Sequence, residues 1–145
     1  MISEFLTQDH HHCNDLFATA ENAVVKDDWG MAERYFTDFQ KETERHFGME
    51  ESLLFPAFEK ATGMSTGPTE VMRTEHQQMR SILADMAESV RVRNKDAYLG
   101  ASETILMLMQ QHNLKEEQML YRMADQVLAG AQGAAILESM RALEG

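Results

Sequence analysis

A shift of 66 positions lays one half of this chain over the other. It carries His10 onto His76, His46 onto His112, Glu50 onto Glu116 and Glu51 onto Glu117. The surrounding text follows, with TQDHHHC over RTEHQQM and HFGMEESLLF over HNLKEEQMLY. An internal repeat constrains a fold before any other feature does, because each half must form the same unit and the two must bury their apolar faces against each other. The repeated residues are side chains that bind metals, so the functional element is expected to be a symmetric pair of half-sites.

Turn-forming clusters are few: Lys26-Asp27-Asp28, the stretch from Thr62 to Pro68, Arg93-Asn94-Lys95-Asp96 and Gly130 to Gly133. Between them residues recur at helical spacing, as in Leu6, His10, Cys13, Phe17 and Ala20 on one face. This predicts four main helices over about 3–25, 30–60, 68–92 and 96–129 and a short fifth over about 132–143, in a single domain spanning 1–145. Ser3 is expected to cap the first helix, and Pro68 to occupy the first turn of the third. Short connections make neighbours antiparallel, so the fold class is all-α, an up-down-up-down four-helix bundle with an extra C-terminal helix. The repeat agrees with these turns. Residues level in an antiparallel hairpin are equidistant from its turn; the midpoint of His10 and His46 is Asp28, and that of His76 and His112 is Asn94. His46 and His76 have their midpoint at position 61, at the start of the middle loop. All four histidines can therefore meet at one level, one per helix.

Within HFGME and HNLKE a histidine precedes a glutamate by four residues, which places both on one helical face with Cβ atoms about 5–6 Å apart. Two such helices, each faced by a helix bearing one more histidine, bring four imidazoles and two carboxylates together. That set, His10, His46, Glu50, His76, His112 and Glu116, suits two metal ions with two histidines each, bridged by Glu50 and Glu116. Imidazole with carboxylate favours iron, manganese or zinc over thiolate-preferring ions. A lone helical histidine is more often an ordinary core or surface residue, and it is the constellation that carries the metal reading. Burying so many polar groups without metal would leave costly unsatisfied atoms.

In the HHH run His10 shares its face with Leu6, Cys13 and Phe17 and is the one matched by His76; His12 is the second choice and His11 is expected to face solvent. Glu51 and Glu117 project about 100° away from the bridging positions and are expected to be solvated or to support the ligands from outside. Arg80, four residues after His76, is a partner for such a carboxylate or a surface charge. The twelve methionines read as adaptable core filler rather than a soft-metal path. Tyr121 is expected to pack its ring with a wet hydroxyl, its other reading being a redox or hydrogen-bonding residue near the site.

With 24 acidic against 13 basic residues, the formal charge of −11 repels phosphate backbones and anionic lipid, which argues against nucleic-acid and membrane partners. No apolar run approaches the ~20 residues needed to cross a bilayer, and the N-terminus lacks the pattern of a signal peptide. The lone Cys13 cannot form an intrachain disulfide. A cytoplasmic protein is the expectation.

These motifs, DH at 9–10, HFGMEESLLFP at 46–56, EHQQMR at 75–80 and HNLKEEQMLY at 112–121, resemble the haemerythrin-like family, the HHE cation-binding domains, over about residues 3–122. The resemblance implies a four-helix bundle around a non-haem centre of two iron ions, with bridging carboxylates and a site for O2 or a related small ligand. The chain departs from the oxygen carriers of that family. Their third helix bears His-x3-His, where this chain has Arg80; their fourth bears His-x4-Asp, where the nearest matches are Glu116 and Glu117. Four histidines with two His-x3-Glu pairs look more like the members that repair iron centres and respond to nitric oxide.

The leading expectation is thus a di-iron protein whose partner is a small diatomic or peroxide ligand, O2, peroxide or nitric oxide, with manganese or zinc as substitute metals. The alternative is a regulatory module whose metal is structural. A ferritin-like enzyme fits poorly, because its Glu-x-x-His pairs would need glutamate where the chain has Thr43 and Met109.

Overall fold

A computed structural model describes residues 1–143. Among them the chain forms five helices and no strand. Helix α1 is Ile2–Val25; α2 runs over 29–62, as Trp29–Met49, a π-helical turn Glu50–Leu54 and Phe55–Thr62; α3 is Pro68–Arg91. Helix α4 runs over 95–127, as Lys95–Lys115, a second π-helical turn Glu116–Leu120 and Tyr121–Val127, and α5 is Ala131–Ala142. Each of α1 to α4 packs against its two neighbours in a closed ring, and α5 folds back against α1 and the π-helical turn of α2. This is the expected up-down-up-down bundle with its extra helix.

The two hairpin turns are copies of one another. Asp27 and Arg93 both adopt left-handed backbone, with φ 59° and 56°, and the residue after each caps the next helix. Asp28 Oδ1 accepts from the Met31 amide at 3.2 Å, and Asn94 Oδ1 from the Ala97 amide at 3.1 Å. Each cap satisfies an amide that has no partner within its helix. Two details differ from the expected pattern. Helix α1 starts two residues earlier than a Ser3 cap requires, with Met1 at the cap position, and the Ser3 hydroxyl instead donates to Asp125, tying the start of α1 to the end of α4. The π-helical turns, equivalent under the repeat, follow directly from each His-x3-Glu segment; there the Phe55 amide donates to Glu50 O and the Tyr121 amide to Glu116 O. Such turns insert an extra residue and are frequent at functional sites. Neither is marked by Gly or Pro at its centre, so hydrophobic periodicity gave no sign of them.

Two apolar clusters fill the bundle. One joins Phe17, Phe36, Phe39, Phe47, Met79, Leu83, Met86, Tyr98, Ile105 and Met109; the other joins Leu6, Met49, Leu54, Phe55, Phe58, Leu120, Tyr121 and Met140. Full burial of each large side chain contributes roughly 1.5–3 kcal/mol, which offsets the cost of a polar layer held between the clusters. Gly133 lets α5 close over the second cluster, because a Cβ there would lie 2.0 Å from Leu128 O.

Candidate metal centre

The polar layer contains all six expected residues. His10 comes from α1, His46 and Glu50 from α2, His76 from α3 and His112 and Glu116 from α4, and each is at most 4% exposed. His10 and His46 form one pair, with ring centroids 4.6 Å apart; His76 and His112 form the other, at 4.9 Å. Glu50 Oε1 approaches His46 Nε2 at 3.5 Å and His76 Nε2 at 3.1 Å. Glu116 Oε1 approaches His10 Nε2 at 3.0 Å and His112 Nε2 at 3.2 Å. Each carboxylate therefore spans one imidazole of each pair.

The outer ring nitrogens are held by four further carboxylates. His10 Nδ1 donates to Glu117 at 2.6 Å, His46 Nδ1 to Asp9 at 2.7 Å, His76 Nδ1 to Glu51 at 2.7 Å and His112 Nδ1 to Glu75 at 2.8 Å. An ionised carboxylate only accepts, so the proton sits on Nδ1 and Nε2 is turned inward. This arrangement fixes the tautomer and ring orientation of metal-binding histidines. Arg45 holds Asp9, Lys115 holds Glu75, and Arg80 holds Glu51 through two nitrogens while also pairing with Glu44. Glu51 and Glu117 thus support the imidazoles from outside, and Arg80 resolves to a carboxylate partner. His11 and His12 are both exposed.

Asp9 and Glu75 entered the sequence reading only within the DH and EHQQMR motifs, with no role assigned, although the signal was present. Each is the acidic residue directly before a core histidine, and the 66-residue shift carries one onto the other.

The Tyr121 hydroxyl is fully buried, contrary to the wet hydroxyl expected. It donates to Glu50 Oε2 at 2.6 Å and lies 3.0 Å from Glu116 Oε1, 3.1 Å from His10 Nε2 and 3.3 Å from His46 Nε2. The extra residue of the π-helical turn at Glu116–Leu120 lies directly before Tyr121, so an estimate of which face it presents from α-helical spacing alone does not hold there.

The electrostatics are those of two buried carboxylates seeking positive charge. Burial by itself would depress the imidazole pKa values, but Glu50 raises that of His46 well above its ordinary value and Glu116 brings that of His112 to about 9. Burial would raise the Glu50 carboxyl, yet His46 and the surrounding donors hold it well below the usual range. Burial and the same two carboxylates push the Tyr121 hydroxyl far up, so it stays protonated. Burial also raises the Cys13 thiol to about 11.

The donor set fits cations. Glu50 Oε1, His76 Nε2, His112 Nε2 and Glu116 Oε2 are buried without a hydrogen-bonding partner. Leaving such atoms unpaired is costly, and these four lie in a single layer. Glu50, His76, His112 and Glu116 offer ligand atoms within 4.8 Å of one another, and His10, His46 and Glu116 do the same. The groups share Glu116 and are each of a size to surround one ion.

No curated protein and no solved structure matches the chain. The model of the Hemerythrin HHE cation binding domain family matches residues 1–124, which covers all six centre-facing residues and stops before α5. On that match, and on an imidazole and carboxylate cluster built across the four helices it spans, the chain belongs to the family of hemerythrin HHE cation-binding domains.

Proposed function

We propose that this domain holds a pair of iron ions and binds or reacts with O2, peroxide or nitric oxide, serving in sensing, detoxification or iron handling in the cytoplasm. His10 and His46 would hold one ion, His76 and His112 the other, and Glu50 and Glu116 would span both. The observation that carries the reading is the set of unpaired inward-facing atoms on Glu50, His76, His112 and Glu116. Manganese and zinc share the preference for imidazole and carboxylate and are the substitutes to expect. When bound, a pair of redox-active ions supplies electrons and open coordination positions for a small ligand.

The chain's own residues prepare that chemistry. Asp9, Glu51, Glu75 and Glu117 hold the four Nδ1 protons and so turn the four Nε2 atoms toward the centre. Tyr121 keeps a proton on its hydroxyl beside both carboxylates. Apolar layers on either side exclude water, which strengthens each electrostatic contact.

Metal analysis of protein purified from iron-replete cells tests the proposal, together with visible absorption. A pair of irons per chain with an absorption band of an oxo-bridged centre is expected; folded protein free of iron would overturn it. The position of the centre between two apolar clusters favours a second reading, in which the metal is structural and iron controls folding. On that reading chelation abolishes the helical circular dichroism signal, and an unchanged signal and melting temperature would exclude it.

A further inference from the structure

We propose that the hydroxyl of Thr43 is the hydrogen-bond donor for a small diatomic ligand at the His10/His46 half-site, and that this ligand arrives through the groove between α1 and α4. The inference rests on the metal reading above and adds which half-site takes the ligand, and by which path.

A cavity of about 20 Å³ lies against the centre, lined by His10, Cys13, Thr43, His46, Met79 and Met109, with Asn14, Phe47 and Asn113 completing the wall. A volume of that order holds one water-sized molecule, so a diatomic fits and an organic substrate does not. Thr43 is 5% exposed, and its Oγ1 has no hydrogen-bonding partner, although it lies near enough to the Cys13 sulfur to favour the thiolate. Thr69, which is also buried, donates its hydroxyl to Glu59. Thr19, Thr62 and Thr104 each turn their hydroxyl back on the carbonyl four residues earlier. Thr43 leaves that bond unmade, and its side chain lines the cavity beside Cys13.

The cavity sits at one half-site because the repeat is broken around it. The 66-residue shift carries Cys13 onto Met79, Thr43 onto Met109 and Asn14 onto Arg80. Small side chains on the His10/His46 side thus face long ones on the other. There Phe47 also stacks on the His76 ring, with centroids 4.0 Å apart and planes 17° apart. Asn14 and Asn113 line both the cavity and a larger groove of about 570 Å³ between α1 and α4, so they form the wall between solvent and the centre.

Nitric oxide binding to the ferrous protein supplies the test, with dissociation rate and N–O stretching frequency as readouts beside metal content and melting temperature. Thr43→Val keeps the shape and removes the donor. It is expected to release nitric oxide about tenfold faster and shift the N–O stretch, while metal content and melting temperature hold or rise, because the lost hydroxyl had no partner. Thr43→Met copies Met109 and fills the cavity, and is expected to slow nitric oxide association with the metals still bound. If both variants bind and release nitric oxide as the parent does, the Thr43 inference is overturned while the metal reading stands. If the parent, loaded with iron, binds no nitric oxide, the small-ligand reading fails and takes this inference with it.

Discussion

The two half-sites are built from matching donors and matching outer carboxylates, yet they differ in the side chains that pack around them. At the His10/His46 pair the Tyr121 hydroxyl lies within 3.3 Å of both inner nitrogens. At the His76/His112 pair the equivalent residue is Phe55, stacked on His76 with centroids 5.8 Å apart, and both inner nitrogens are left unpaired. Phe47 covers the other side of His76, and the guanidinium of Arg80 lies over Phe47 while holding Glu51. One half-site is thus roofed by rings and clamped from outside; the other has a hydroxyl beneath it and a small cavity above. The repeat supplies matching donor pairs, and substitutions at neighbouring positions make their surroundings inequivalent.

Removing a group shared by both halves should have the largest effect. Glu50→Ala and Glu116→Ala each delete a carboxylate that reaches one imidazole of each pair, so both ions are expected to be lost together, as read by metal analysis of purified variants. His10→Ala and His76→Ala should each weaken mainly one ion. Should Glu117→Ala strip the metals while Glu116→Ala keeps both, the fourth helix would follow the register of the oxygen carriers instead. Removing metal from the intact protein comes next. A site saturated at 100-fold above its Kd adds about 2.7 kcal/mol to stability, so chelation is expected to lower the melting temperature measurably.

The outer carboxylates probe the asymmetry directly. Glu51→Ala and Glu117→Ala are each expected to cost about 10–100-fold in metal affinity at their own half-site, by releasing the tautomer of His76 or His10. Arg80→Ala should cost less than Glu51→Ala, and only at the His76 side, because Asn14 stands at the equivalent position of the other half. Equal effects of Arg80→Ala on both ions would break the comparison. Tyr121→Phe makes the halves alike at this one position, where the other half has Phe55. In metal-free protein it removes the donor to Glu50 Oε2 and should cost about 1–3 kcal/mol of stability, with a smaller loss once metal occupies the carboxylates, as thermal melts with and without iron would measure.

The convergence of these six residues was legible because it depends on helical spacing and on turn position, both written in the sequence. His10, His46, His76 and His112 meet because their midpoints fall on Asp28 and Asn94, which the structure makes into helix caps. The inward glutamates follow from four-residue spacing. What lay beyond reach depends on geometry finer than periodicity. The π-helical turns at Glu50–Leu54 and Glu116–Leu120 alter the residues directly after the glutamates, which is why the Tyr121 hydroxyl was expected in water and lies in the core. The cap assigned to Ser3 failed because Asp125, distant in sequence, competes for its hydroxyl. Thr43 entered the sequence argument only as a glutamate that was missing, and its unpaired hydroxyl is visible only once α1 and α4 are set beside it.

The smallest effect concerns Cys13, whose counterpart in the other half is Met79. The thiol is buried, and its pKa is raised to about 11, chiefly by the loss of solvation. At neutral pH it is therefore almost wholly protonated, and the thiolate is the reactive form. A thiol reagent should modify the folded protein far more slowly than a free thiol, at a rate that follows opening of the bundle rather than reagent concentration. Loading metal is expected to tighten the layer beside Cys13 and slow modification further, whereas Thr43→Met should change it little, since filling a cavity leaves the thiol buried. Mass spectrometry of timed labelling measures each rate. Rapid modification of metal-loaded, folded protein would show that the His10/His46 side is open to molecules larger than a diatomic, and would remove the size selection on which its difference from the His76/His112 side depends.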